Sequence, residues 1–287
     1  MSTLKLEVAL EQACKDLSWV QTAVASVRAA GTLSSQSYAF FESSLGLATE
    51  LEHAKNMLPV RDIALQAAKA FPRLVSPRTP DKFLFNGAEV TFKQGRYLLL
   101  QNYLATTWAI YDVLAKVAGV LCCTDGLAKN LTKPVKLYED FLQGKQSVGA
   151  RLQDHLRGSY GWPISISYKA RNWVVHDGFT HDGVELFAHD SPVASGEFAM
   201  SDSAWEALRS LSNTDPEQTR LAVPPDVKGN LIEGLSTCNA EADEAIGFII
   251  TWATGSLRLQ ATILFPRDSI SPPPFETPTM PTVAPTI

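Results

Sequence analysis

Gln94 to Cys122 reads QGRYLLLQNYLATTWAIYDVLAKVAGVLC, and its periodicity decides the fold class. Leu104, Trp108, Tyr111, Ala115 and Ala118 form one apolar stripe at helical spacing. Ile110, Leu114, Val117 and Leu121 form a second. Two stripes on one helix mean burial on more than one side, so this segment is expected to be a central helix. Gln101, Asn102, Asp112 and Lys116 interrupt the run, which argues against a membrane span.

Working outward, residues 4 to 30 read as a helix, with Leu6, Leu10, Leu17, Val20, Val24 and Val27 on one face and Gly31 as the stop. A second helix is expected from Ser35 to Met57, with Phe40, Leu47, Leu51 and Ala54 inward and Pro59 ending it. A shorter one follows from Asp62 to Ala70, closed by Pro72. Phe83-Leu84-Phe85 and Val90-Thr91-Phe92 flank Asn86-Gly87, the signature of a hairpin with a slightly long turn. Short helices are expected over 133–144 and 148–156. Val184 to Phe187 and Glu197 to Met200 read as a short strand pair. Ser201 or Asp202 caps a helix through Leu211, Pro216 to Pro225 is loop, and the last helix runs from about Ala240 to Leu264. Seven of the 17 prolines fall in the last 22 residues, where no core can form. No internal repeat is visible.

The chain has 287 residues and is 45% hydrophobic, enough for about two domains with a full core. Its four cysteines, Cys14, Cys122, Cys123 and Cys238, form no CxxC pair, so neither a zinc site nor a disulfide framework is expected. Free thiols and a charged start with no apolar leader fit a soluble protein of the reducing cytoplasm. The net charge of -5 excludes a generic nucleic-acid coat, which would be basic overall. A local basic stretch remains. Between Lys145 and His176, Lys145, Arg151, Arg157, Lys169 and Arg171 face the lone acidic residue Asp154. That is either a phosphate-binding approach or a solvated surface with scattered cations.

This stretch leads into Arg171-Asn172-Trp173-Val174-Val175-His176-Asp177-Gly178. The motif helix starts at Pro163 or nearer Tyr168 and ends at Asp177-Gly178, a left-handed cap. Metal-free RNA cleavage needs a base for the ribose 2′-hydroxyl and a cation for the phosphoryl charge. Histidine titrates near neutrality and suits the first role. Arginine can grip two phosphate oxygens and suits the second. An amide such as Asn172 can orient the histidine or hold a phosphate oxygen. Asn172 and His176 share a face. Arg171 and His176 lie about 140° apart on a helical wheel, so either the arginine swings across or two copies of the helix pool their residues. The helix C-terminus and Asp177 are expected to raise the His176 pKa. The alternative is an ordinary helix end whose Arg171 and His176 pair with local carboxylates.

The R-N-x-x-x-H motif at Arg171, Asn172 and His176 resembles the signature of the HEPN-domain family. The resemblance covers about Gln94 to Leu264. It implies a mostly α fold with a HEPN-like helical bundle over 82–265, to which the periodicity and composition read above add a helical N-terminal region (1–72), small β-hairpin insertions and a disordered proline-rich tail (266–287). It further implies a metal-independent endoribonuclease leaving a 2′,3′-cyclic phosphate, or else a non-catalytic module binding RNA or protein. His176, Arg171 and Asn172 would be catalytic, Asp112 accessory, and Lys169, Arg157 and Arg151 substrate-binding. RNA, a second copy and an antitoxin or regulatory protein are the implied partners, in a toxin or defence setting. Gly178 stands where some family toxins carry a modified tyrosine, which sets that control mode aside. The resemblance does not account for the N-terminal 70 residues or for the strand pair at 184–200. No cofactor or metal is expected. His176, His181 and His189, each followed by aspartate, read as turn residues rather than zinc ligands. No serine-hydrolase, P-loop or dinucleotide glycine motif occurs.

Overall fold

The computed structural model describes residues 2–30, 46–70, 82–85, 87–122, 170–175, 180–181, 184–185, 201–204, 206 and 230–264. These are mostly helical. The long helices are α1 (Ser2–Ala30), α2 (Leu47–Ala70), α3 (Phe92–Cys122) and α4 (Leu231–Leu264). Two hairpins accompany them, β1 (Lys82–Phe85) with β2 (Ala88–Thr91), and β3 (Thr180–His181) with β4 (Val184–Glu185).

The six inward positions read for α1, Leu6 to Val27, are all buried. Leu47, Leu51 and Ala54 of α2 are buried too, whereas Phe40 lies outside the described residues. Pro59 does not end its helix: α2 passes through it and absorbs the separate helix expected from Asp62. Pro59 is exposed, and on an outer face the carbonyl that a proline leaves unbonded can turn toward solvent.

The Asn86-Gly87 hairpin forms with a tighter turn than its sequence suggested. Phe85 pairs with Ala88 across two residues, and Gly87 takes the positive φ of 82° that such turns require. The strand then runs directly into α3 through a capping box. Gln94 donates its backbone N–H to Thr91 Oγ1 at 3.2 Å, and Thr91 donates its own to Gln94 Oε1 at 2.9 Å. This places the start of α3 at Phe92. A second hairpin was not foreseen. Val184–Glu185 pairs with Thr180–His181 across Asp182-Gly183, a turn sequence of the same type and nearer in the chain than Glu197 to Met200. The latter residues lie outside those described, as do 133–144, 148–156, 216–225 and 266–287. Ser201 acts as the expected cap, its Oγ accepting the Ala204 N–H at 3.1 Å. The last helix begins nine residues early at Leu231. Asn230 Oδ1 caps it by accepting the Glu233 N–H at 3.3 Å.

Side-chain pairs set the directions. Glu11–Lys55 and Cys14–Glu52 place α2 antiparallel to α1. Glu50–Lys116, together with the link from Arg61 through Asp243 to Tyr111, places it antiparallel to α3. Lys69–Glu233 and Arg61–Asp243 place it antiparallel to α4. The three other helices are therefore mutually parallel. At Gly247 α1 and α4 pack tightly: an added Cβ would stand 3.1 Å from that of Ala9.

Among the described residues the core has two parts. The larger joins all four helices through residues such as Leu10, Leu17, Leu51, Leu58, Leu114, Val117 and Ile250. The smaller lies where α3 and α4 begin, formed by Ala68, Leu100, Tyr103, Leu104, Leu231 and Leu235. Both stripes of α3 pack into the larger part, from Trp108 and Ile110 onward, while Leu104 and the earlier Tyr97, Leu100 and Tyr103 belong to the smaller. Among the described residues, Tyr97–Leu121 is the stretch long and apolar enough to cross a bilayer by length and composition. Its apolar residues are largely packed against the other helices.

Candidate functional site

The motif segment 170–175 is helical and belongs to the smaller core. Ala170, Trp173 and Val174 are buried there beside Leu100, Leu104 and Leu235, while Arg171, Asn172 and Val175 are half-buried on the other side. The local sequence dictates this split. On a helix, positions one, four and five of Ala-Arg-Asn-Trp-Val-Val share a face. Packing that face inward holds Arg171 and Asn172 at the protein surface.

Arg171 Nη1 donates a hydrogen bond to Asn172 Oδ1 at 2.9 Å. The amide therefore holds the arginine, a partner not among those foreseen for it. Asp112, exposed on α3, lies within range of the Arg171 charge. Burial of its surroundings pushes its carboxyl up, and Arg171 opposes this by favouring the carboxylate. The structure thus brings together Arg171, Asn172 and Asp112. His176, Lys169, Arg157 and Arg151 lie outside the described residues.

One expectation follows from the sign of that effect. Arg171→Ala removes the influence that lowers the Asp112 pKa, so Asp112 should titrate at higher pH in the variant. Carboxyl NMR titration of both proteins checks it, and an unchanged curve would mean that the two charges do not face each other.

A second polar centre was not legible in the sequence. Arg61 of α2 and Asp243 of α4 form a bidentate pair, Nη1 to Oδ1 at 2.8 Å and Nη2 to Oδ2 at 2.7 Å. They are 3% and 1% exposed. The Tyr111 hydroxyl of α3 donates to Asp243 Oδ1 at 2.9 Å and lies 3.2 Å from the Asn239 carbonyl. Asn239 Nδ2 donates to the Tyr103 hydroxyl at 2.7 Å. Burial pushes the Asp243 carboxyl up, while Arg61 and the Tyr111 hydroxyl favour its charged form. Burial works against the Arg61 charge, yet Asp243 outweighs it and raises the Arg61 pKa. Burial also raises both tyrosine pKa values, so both hydroxyls keep their protons at neutral pH. Arg61 and Asp243 are almost fully buried, and Arg61 Nε also lies 3.9 Å from the carboxylate of Asp62. The chemistry of the network is to lock three helices in register rather than to meet a substrate. The spacing of Asn239 and Asp243, four apart in an apolar helix, was the available signal.

A third centre ties α1 to α4. Arg258 donates to the buried Asp16 at 2.8 Å and lies over the Trp19 ring, 5.5 Å from its centroid. Cys238 is buried, and burial pushes its thiol up to about 12, which makes it an inert core residue. Among the described residues, no group of three or more His, Cys, Asp or Glu side chains could hold a metal.

No family model matches the chain, and neither the curated proteins nor the solved structures contain a match to it.

Proposed function

We propose that this protein is a metal-independent endoribonuclease of the HEPN type, with its motif at Arg171, Asn172 and His176. The observation that carries the reading is the seating of the motif segment. Trp173 and Val174 anchor it in the core, and Asn172 holds the Arg171 guanidinium on the outward side. A fixed guanidinium is what binding of a scissile phosphate requires. In the proposed reaction, His176 takes the proton from a ribose 2′-hydroxyl. The 2′-oxygen bonds to phosphorus, and the bond from phosphorus to the 5′-oxygen breaks, leaving a 2′,3′-cyclic phosphate. The leaving 5′-oxygen takes up a proton. Arg171 stabilises the charge on the phosphoryl oxygens, with Asp112 as an accessory group steering the arginine. Lys169, Arg157 and Arg151 would draw in the RNA backbone. The proposal extends to a cytoplasmic homodimer acting as a toxin or defence effector under an antitoxin or regulatory partner, with no membrane role.

A second reading is a non-catalytic HEPN-like module that binds RNA or protein. It is favoured by Asp112, whose charge lies within range of Arg171 and would compete with a phosphate for it.

The test is incubation of the purified protein with total RNA and tRNA in EDTA, beside His176→Ala, with gel retardation run in parallel. Cleavage by wild type alone supports the nuclease. Retardation without cleavage supports the module. Neither cleavage nor retardation overturns both as RNA-directed readings.

A further inference from the structure

We draw no further inference here: the strongest candidate, the surface patch of Leu259 and Ile263 at the exposed end of α4, is an apolar face with nothing in the structure to show what covers it.

Discussion

Asp243→Ala should destabilise the protein by about 3–5 kcal/mol, the usual cost of removing one partner from a buried ion pair. The size follows from what is left behind. Arg61 is sealed in the core with both its hydrogen bonds to Asp243 gone, and Tyr111 loses an acceptor. A buried guanidinium cannot escape by releasing its proton, because its pKa is too high. Replacing both members together, Arg61→Met with Asp243→Leu, should restore most of the loss. That change removes the stranded charge and leaves the Tyr111 hydroxyl the Asn239 carbonyl. Urea unfolding of the single and double variants measures this. A double variant no more stable than Asp243→Ala would show that the pair contributes stability of its own instead of registering three helices.

Arg171→Lys should lower RNA cleavage by a factor of about 10²–10³, close to the loss for Arg171→Ala, if the proposed nuclease reading holds. Lysine keeps the charge but loses the planar fork that can meet two phosphate oxygens while still bonding Asn172. The loss should fall on kcat more than on KM, because the charge being stabilised develops in the transition state. Salt-dependent binding of intact RNA should change little in the lysine variant. Rates in Arg171→Lys equal to wild type would place the phosphate contact elsewhere.

Much of the fold was written in periodicity. The inward positions of α1 and the two stripes of α3 are buried as their spacing demanded, because a stripe of apolar residues has one way to leave water. The Asn86-Gly87 turn was legible for a local reason, its backbone preference. Boundaries were read less well. Pro59 sits inside a helix because exposure makes its missing hydrogen bond tolerable. Asn230 starts α4 nine residues ahead of the expected point because its side chain caps the Glu233 N–H, a contact that apolar spacing does not show. The motif helix was recognised from Arg171 and Asn172, yet the role of Asn172 as the arginine's partner depends on side-chain geometry that spacing does not specify.

By itself, the sequence determined which faces of which helices are buried, since burial of apolar stripes depends only on local spacing. Tertiary structure alone decided that Arg61 and Asp243, 182 positions apart, meet in the core, and that the Arg171 charge comes within range of Asp112. Contacts between distant helices depend on their relative direction and register. No pattern within a single helix encodes those, so they appear only when the helices pack.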